Sequence, residues 1–360
     1  MASFAATAAA TLSFFLLGDW GGQEDYPWTR PGQLATAAGM AAVGRSLPSG
    51  HPDFVLALGD NFYALGLCNN WTLAPYNNSC PNASLPATGT VDDPRFANTF
   101  EAVYAAAPLQ VPWYVLAGNQ DALGNVSASI AYSAVSPRWR HPDFWHAMTA
   151  DAGGGLQLQV LLLDLTLCYG IWSDPVHDAM CAAQLDWLDG ALAASTADFL
   201  LVAGHYPAYS ACAHGNTEWV LDTLLPRLVA SHATAYVSGH DHCGEFLAPA
   251  SGVGDLVFVV SGAGDGCCYA GSNVAGVPAG SLKFLQSGEH NFSTVGGFAS
   301  AAVAGGALAF TFHGDTGAAL WTSPPLLPRA RAADGSMSPP NYAAAGLARP
   351  ALANAFARYV

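Results

Sequence analysis

The sequence predicts an α/β fold, because short apolar segments of strand length alternate with longer segments of helical character. A small polar cluster follows most of the apolar segments, which is typical of strands whose carboxyl ends carry a ligand site. Thirty-eight glycines and 23 prolines in 360 residues indicate many turns and short strands rather than long helices or a coiled coil. A hydrophobic fraction of 52% with only 10% charged residues excludes a disordered chain.

Six apolar runs are predicted to be buried strands that end at polar residues. They are residues 12–17, 54–58, 111–116, 156–163, 199–202 and 234–237. Residues 1–17 are apolar, as in a leader peptide, but they lack a basic segment and leave no room for a cleavage site before Gly18-Asp19. We therefore expect residues 12–17 to form a buried first strand.

Helices are predicted between several of these strands, and a second sheet is predicted after them. The helical segments are residues 33–47, 95–107, 179–194 and 217–231. From about residue 256 the helical pattern fades, and further strands are predicted at residues 256–261, 297–302 and 307–313. We expect one folded domain over residues 12–323, followed by a weakly packed, Pro- and Ala-rich tail over residues 324–360. No apolar run reaches the roughly 18 residues of a transmembrane helix, so none is predicted.

The charge balance argues against a nucleic-acid-binding protein. The formal net charge is −15, and we find no local basic patch that would attract a phosphate backbone. The eight cysteines form no CxxC pair, which argues against a zinc ribbon and is compatible with disulfides.

Sequons for N-glycosylation indicate passage through a secretory compartment. They start at Asn70, Asn77, Asn82, Asn125 and Asn291. Three of them crowd a polar insertion after Cys68, which we expect to be an exposed loop pinned by a Cys68–Cys80 disulfide. The sequence therefore predicts a glycosylated protein that is secreted or lumenal (extracellular, vacuolar or lysosome-like), although no clear signal peptide precedes the first strand.

The polar residues at the strand ends form a set of oxygen and nitrogen donors. The set comprises Asp19, Asp60, Tyr63, Asn119, His205, His240 and His242. Such donors suit hard or borderline cations, and the absence of a thiolate from the set disfavours copper(I) and iron–sulfur clusters. An Asp between two cations can bridge them, and a pair of cations ~3.5–4 Å apart can clamp a phosphoryl group and activate a water. Any one of these residues alone is more often structural, so the metal interpretation depends on six clusters in strand order.

These clusters resemble a known family. The motifs GDWGG with Asp19, GDNFY with Asp60 and Tyr63, GNQD with Asn119, GHYP with His205 and GHDH with His240 and His242 follow the five-block pattern of the metallophosphoesterases. The tyrosine of GDNFY, together with GDWGG and GHYP, narrows the resemblance to the purple acid phosphatases, and most closely to the small, tartrate-resistant type. The resemblance covers roughly residues 12–328 and includes LDLTLC at 163–168 and SGAG at 261–264.

The resemblance implies a four-layer αββα sandwich of two mixed sheets flanked by helices, with a dinuclear metal centre at the sheet ends. It implies that Asp19, Tyr63 and His242 hold Fe(III). Asn119, His205 and His240 would hold a divalent metal, which is Fe(II), Zn or Mn in the family, and Asp60 would bridge the two. The implied activity is that of a monomeric acid phosphatase, which hydrolyses small phosphate monoesters by attack of a metal-bound hydroxide at mildly acid pH.

Two departures from the family pattern bear on catalysis. Gln120 stands where the family has the His that contacts phosphate and assists protonation of the leaving group, and an amide cannot supply that proton near neutral pH. His214 matches a second substrate-side His of the family, so we expect it to act as the acid, with Gln120 as a hydrogen-bond donor. Because loss of a general acid matters least for good leaving groups, aryl phosphates and anhydrides should be cleaved better than alkyl esters.

The cysteines also depart from the family. Cys168 matches one half of a family disulfide, but Trp219 stands at its partner position, and both Cys181 and Cys212 are possible alternatives. We expect Cys243 and the adjacent pair Cys267 and Cys268 to form disulfides rather than to bind metal, because the metal positions are already filled.

Three other functions remain open at this stage. The first is a phosphodiesterase or nucleotide pyrophosphatase of the same superfamily. The second is a metal-binding homologue with weak or no turnover, because Gln120 replaces the usual His. The third is a purely structural two-sheet protein, which binding of two metals would exclude.

Overall fold

The computed structural model describes residues 11–21, 27–67, 89–248, 254–288, 295–332, 335–342 and 357–359. Its strands in chain order are β1 (Leu12–Leu17), β2 (Phe54–Leu58), β3 (Trp113–Leu116), β4 (Trp139–Arg140), β5 (His146–Gly153), β6 (Leu156–Leu162), β7 (Phe199–Ala203), β8 (Ala235–Ser238), β9 (Gly244–Leu247), β10 (Val257–Ser261), β11 (Leu282–Gln286), β12 (Gly297–Ala304), β13 (Ala307–Gly314), β14 (Ala319–Thr322), β15 (Ala330–Arg331), β16 (Met337–Ser338) and β17 (Ala357–Tyr359). The α-helices are α1 (Pro31–Ser46), α2 (Asn119–Ala122), α3 (Val126–Tyr132), α4 (Pro175–Ala194) and α5 (Leu225–Ala230).

Most of the strands belong to two mixed sheets. The first has the order β14-β13-β12-β1-β2-β3-β4, and β1 to β4 run parallel. The second has the order β17-β11-β9-β10-β8-β7-β6-β5, and β6, β7, β8 and β10 run parallel. Because the carboxyl ends of parallel strands share one edge, each sheet gathers the loops that follow these strands.

Three apolar clusters show how the layers are stacked. Phe14, Leu56, Val160 and other side chains from the inner faces of both sheets form one cluster between the sheets. The outer face of the first sheet packs with Met40 of α1, and the outer face of the second packs with Leu188 of α4 and with α5. The predicted four-layer αββα arrangement is therefore confirmed.

Two predicted helices are shorter and less regular than expected. Residues 95–107 contain a π-helical turn at Phe96–Glu101, and a 3₁₀ turn follows at Ala107–Leu109. Residues 217–231 form a π-helical turn at Val220–Leu224 before α5 begins. Pro226 explains the second difference, because it has no N–H with which to continue a regular α-helical hydrogen-bond ladder.

The beginning of the expected tail packs on the body of the protein, so the expectation of weak packing is wrong for this part. Leu326 is buried in the cluster between the sheets. The guanidinium of Arg329 is also buried and donates hydrogen bonds to the Ala197 carbonyl and, at 2.9 Å, to the Ser195 hydroxyl. The domain boundary at residue 323 stays a prediction.

Three cysteine pairs are bridged in the described part of the chain: Cys168–Cys181, Cys212–Cys243 and Cys267–Cys268. They select Cys181 as the partner of Cys168 and agree with disulfides at the remaining positions. The expected Cys68–Cys80 loop lies outside the described residues, as do all of the sequons except that of Asn125. Among the described helices, none combines the length and the apolar character needed to cross a bilayer.

Candidate metal centre

The predicted ligands lie in loops that follow strands of both sheets. Asp19 follows β1, Asp60 and Tyr63 follow β2, and Asn119 begins α2 shortly after β3. In the second sheet His205 follows β7, and His240 and His242 lie between β8 and β9. The loops meet directly, since the N–H of Asp19 donates to the Gly59 carbonyl at 3.0 Å and the N–H of Gly239 donates to the His205 carbonyl at 3.1 Å.

Three of these residues adopt left-handed backbone conformations that are unusual without glycine. The φ angles are 56° for Asp19, 49° for Asp60 and 71° for His240. Such conformations cost of order 1–3 kcal/mol each and cluster at functional sites, where the surrounding structure holds them in place. A neighbouring glycine is needed for the loops to approach, because a Cβ on Gly118 would lie 2.2 Å from Oδ1 of Asp60.

The first group of donors consists of Asp19, Tyr63 and His242. The Tyr63 hydroxyl lies 3.0 Å from Oδ1 of Asp19 and 3.2 Å from Nε2 of His242. The same His242 nitrogen lies 3.6 Å from Oδ1 of Asp19. These are the three residues that the resemblance assigns to Fe(III).

The second group consists of His205, Asn119 and Asp60, with His240 beside them. Nε2 of His205 lies 3.0 Å from Oδ1 of Asn119 and 3.4 Å from Oδ1 of Asp60. The rings of His205 and His240 have centroids 5.1 Å apart. Donor atoms of Asp19, Asp60 and His205 all lie within 4.8 Å of one another, so Asp60 stands between the two groups.

The spacing of the donors fits bound cations. Bonds of about 2.0–2.2 Å to oxygen and nitrogen place neighbouring ligand atoms about 3.0–3.5 Å apart around one ion, and the distances in both groups fall in or near this range. Asp19 and Asp60 are buried, and their ion-pair partners among the described residues are histidines rather than lysine or arginine. Buried carboxylates without such a counter-charge favour a cation.

The electrostatics of the histidines agree with this fit. Burial lowers the pKa of His242 to about 3 and holds the pKa of His240 well below its usual value, so both imidazoles are neutral and can act as ligands. Burial also raises the pKa of the Asp19 carboxyl. Burial opposes the charged form of His205, yet the charge and hydrogen bond of Asp60 raise its pKa to about 10.

An open pocket of about 530 Å³ exposes the donors to solvent. Of the predicted site residues, it is lined by Asp60, Tyr63, Asn119, Gln120, His214, His240 and His242. Asp19 and His205 are fully buried beneath it. The structure thus brings all nine predicted metal-binding and catalytic residues to one place.

Gln120 and His214 occupy different parts of this pocket. The N–H of Gln120 donates to Oδ1 of Asp60 at 2.8 Å, and its side-chain oxygen accepts from the N–H of Leu65 at 3.4 Å. This arrangement leaves the amide nitrogen of Gln120 as the group that can donate to a substrate. The ring of His214 is exposed and stacks on the His240 ring with centroids 4.3 Å apart.

Asp121 and Asn61 hold the ligand loops together, and sequence reasoning gave them no role. Asp121 accepts hydrogen bonds from the N–H of Gly118 at 2.9 Å and of Phe62 at 3.1 Å. Asn61 donates to Asp121 at 2.8 Å and accepts from the indole of Trp20 at 2.9 Å. Both residues could have been identified from the sequence, because Asn61 lies inside GDNFY and Asp121 lies inside GNQD.

A second set of unpredicted residues lines the same pocket beside His242. Asp265 lies 3.7 Å from Nδ1 of His242 and 3.5 Å from the guanidinium of Arg30. Tyr269 packs its ring against the His242 ring with centroids 4.7 Å apart. The Asp265 carboxylate thus faces Nδ1 of His242, whereas Nε2 faces Tyr63 and Asp19.

The side chain of Asn125, the asparagine of a sequon, makes two hydrogen bonds within the protein. Its side-chain oxygen accepts from the N–H of Ala128 and caps α3, and its side-chain nitrogen donates to the Gly89 carbonyl at 2.8 Å. A glycan would replace one of the two hydrogens on that nitrogen, and the other could still donate to the Gly89 carbonyl.

Comparison with known proteins gives matches across most of the chain. The family model described as calcineurin-like phosphoesterase matches residues 12–244. Tartrate-resistant acid phosphatase type 5 of Rattus norvegicus is 35% identical over 332 residues, which cover 89% of this chain and 92% of that relative.

Two solved structures share the fold. GAP50, described as the anchor in the inner membrane complex of Plasmodium, superimposes with a TM-score of 0.68 at 20% identity, covering 88% of this chain and 89% of that one. The purple acid phosphatase PPD1 from seeds of Lupinus luteus has a TM-score of 0.55 at 15% identity, covering 86% of this chain and 53% of that one.

Proposed function

The chain belongs to the calcineurin-like phosphoesterase family, and we propose that it is a dinuclear-metal acid phosphatase of the tartrate-resistant type that hydrolyses phosphate monoesters. The observation that carries the proposal is the arrangement of two donor groups with Asp60 between them, below one open pocket. The acid phosphatase relative at 35% identity over 89% of the chain supports the same reaction.

The family implies a dinuclear metal centre, and the donors suggest how the two positions differ. We propose that Asp19, Tyr63 and His242 hold Fe(III), because phenolate and carboxylate oxygens suit a hard cation. Asn119, His205 and His240 would hold Fe(II), Zn or Mn, and Asp60 would serve both positions. Bound there, the cations would supply Lewis acidity that neutralises phosphoryl charge and lowers the pKa of water.

The residues of the chain bind the phosphate and deliver the proton. The amide nitrogen of Gln120 donates a hydrogen bond to a phosphoryl oxygen, since its side-chain oxygen is engaged with Leu65. His214, exposed in the pocket and stacked on His240, donates a proton to the departing oxygen of the substrate alcohol. Tyr63 and Tyr269 form apolar walls of the pocket, beside which a leaving group can lie.

The cysteines support a secretory compartment. Disulfides persist in oxidising compartments, and the bridged pairs of the described chain are consistent with the secretory pathway. We propose that the protein works secreted or in an acidic lumen on small phosphorylated substrates, and that it is a monomer.

The test is hydrolysis of a chromogenic aryl phosphate from pH 4 to 8 by protein with quantified iron and divalent metal, beside an Asp60→Asn variant. We expect turnover with a maximum at mildly acid pH, and its loss in the variant. Protein that carries two metals per chain but shows no turnover would overturn the proposal.

One observation favours a second candidate, a metal-binding protein without turnover. Gln120 fills the position of a proton-donating His, and His214, which lines the same pocket and is not a proposed ligand, stands on another loop. Full metal occupancy without hydrolysis of either aryl or alkyl phosphates would support this candidate.

A further inference from the structure

The segment that carries His214 is tied to the GHDH loop by a covalent bond and by ring stacking. Cys212, two residues before His214, is bridged to Cys243, which directly follows His242. The ring of His214 lies on the ring of His240 and meets Tyr269 edge-on, with centroids 5.3 Å apart. His214 itself is exposed, so its position depends on what holds its backbone.

Asp241 holds that backbone from the GHDH loop. Its Oδ1 accepts a hydrogen bond from the N–H of His214 at 2.9 Å. Its Oδ2 lies 2.5 Å from the hydroxyl of Ser210, and both residues are fully buried. The Asp241 carboxylate therefore contacts the segment 210–214 at both of its ends.

Glu245, in strand β9, accepts hydrogen bonds from the same segment. Its Oε2 accepts from the N–H of Ala211 at 2.9 Å, and its Oε1 accepts from the N–H of Cys212 at 3.2 Å. The same Oε1 lies 2.7 Å from the Ser210 hydroxyl. A fully buried glutamate in a strand is rare unless its oxygens are satisfied in this way.

The Ser210 hydroxyl connects the carboxyl groups of Asp241 and Glu245. Ser210 has one hydroxyl proton, yet it lies within hydrogen-bond distance of a carboxyl oxygen on each side. Both contacts are hydrogen bonds only if one carboxyl supplies a proton. Burial raises the pKa of Glu245 to about 8, so at mildly acid pH this carboxyl holds a proton that it can donate to Ser210.

We propose that Ser210 and Glu245 are positioning residues, which act through Asp241 and the Cys212–Cys243 bridge to hold His214 beside the metal centre. The proposal rests on the proposed function, in which His214 protonates the leaving group. A misplacement of about 1 Å in a catalytic group costs up to roughly 100-fold in rate. A chain with Gln120 in place of the usual acid depends on such a fixed position of His214.

The experiment compares Ser210→Ala and Glu245→Ala with His214→Ala and with the matched control Ser323→Ala. Ser323 is also buried, and its hydroxyl accepts from the N–H of Phe310 at 3.0 Å, away from the pocket. Four quantities are measured on metal-loaded protein: the ratio of kcat/KM for an alkyl to an aryl phosphate, the dissociation constant of inorganic phosphate, the metal content and the thermal midpoint. Glu245→Gln is the conservative variant, because an amide can donate to Ser210 as a protonated glutamate does.

We expect Ser210→Ala and Glu245→Ala to lower the alkyl-to-aryl ratio by roughly tenfold to 100-fold and to weaken phosphate binding, with two metals retained, and we expect the same of His214→Ala. Glu245→Gln should restore both quantities, and Ser323→Ala should leave them unchanged. The proposal is overturned if the disrupting variants keep the wild-type ratio and affinity, or if they lose activity on both substrates in step with metal content. Glu245→Ala decides the matter if Ser210→Ala does not fold.

Failure of the proposed function would look different. Wild-type protein with two metals and no turnover would refute the phosphatase. In that case the phosphate dissociation constants of the same variants still show whether Ser210 and Glu245 position His214.

Discussion

The carboxylate of Asp121 joins the loop that carries Asp60 to the loop that carries Asn119, so its replacement tests how the ligand loops are held. Oδ2 accepts from the N–H of Gly118 and from Nδ2 of Asn61. Oδ1 accepts from the N–H of Phe62, and the N–H of Asn61 lies 3.1 Å from both oxygens. Asp121→Asn keeps the size of the side chain but turns one acceptor into a donor.

The expected magnitude follows from these contacts. If the amide oxygen takes the Oδ2 position, only the N–H of Phe62 loses its acceptor, and one buried unsatisfied donor costs about 1–3 kcal/mol. The reverse orientation leaves the donors of Gly118 and Asn61 unsatisfied and costs about twice as much. The first orientation should therefore dominate, with a loss of about 1–3 kcal/mol in the free energy of unfolding and a lower metal content.

The assay is denaturant unfolding of metal-free protein, together with metal content after reconstitution. Asp164→Asn is the matched control, because Asp164 is also buried while its Oδ2 has no hydrogen-bond partner among the described residues. The substitution exchanges one buried unpaired atom for another and removes no existing hydrogen bond, so we expect a smaller loss than for Asp121→Asn. Equal losses in the two variants, or an Asp121→Asn protein with full stability and full metal content, would refute the reasoning.

Three further predictions concern the acid, the phenolate and a buried glutamate. Gln120→His should raise kcat/KM for alkyl phosphates by roughly tenfold to 100-fold with little change for aryl phosphates, measured as the ratio of the two; an unchanged ratio would mean that proton delivery does not limit the reaction. Tyr63→Phe should abolish the visible absorption of iron-loaded protein, because Tyr63, which lies beside Asp19 and His242, is the proposed phenolate ligand whose charge transfer to Fe(III) would produce that absorption; a band that persists at full iron content would remove Tyr63 from the proposed ligands. The pKa of Glu245 rises from 4.5 to about 8 on folding, so between these values the folded state keeps a proton that the unfolded state loses. The free energy of unfolding should therefore fall as pH rises from 5 to 8, by up to about 1.4 kcal/mol per pH unit from this group. Glu245→Gln should flatten this dependence in denaturant titrations at the two pH values, and an unaltered slope would contradict the assignment.

The sequence predicts the ligand loops well because each one follows a buried apolar run and is marked by glycine. Asp19, Asp60 and Asn119 are each preceded by a glycine that permits a tight turn or a close approach at the sheet edge. These local signals are independent of the rest of the fold, so they can be found in a single chain.

Features that depend on contacts between distant segments could not be predicted in this way. Glu245 interrupts the apolar pattern of β9, and its burial is understandable only beside residues 210–212. Asp121 is likewise explained by donors near residue 61, which are about sixty positions away in the chain. Strand β5 has weak apolar alternation and is held by its pairing with β6, which the sequence pattern alone does not reveal.

The division of the donors between the sheets has a consequence for how the protein comes apart. All of the proposed oxygen ligands, Asp19, Asp60, Tyr63 and Asn119, follow strands of the first sheet, and all of the imidazoles follow strands of the second. A cation bound by both kinds of donor would therefore cross-link the two sheets. Free metal at 100 times its dissociation constant would add about 2.7 kcal/mol per ion to the free energy of unfolding. Removal of metal would then weaken the association of the two sheets before it weakens the pairing of strands within either sheet. The metal concentration of the compartment would therefore affect the stability of the fold as well as the reaction.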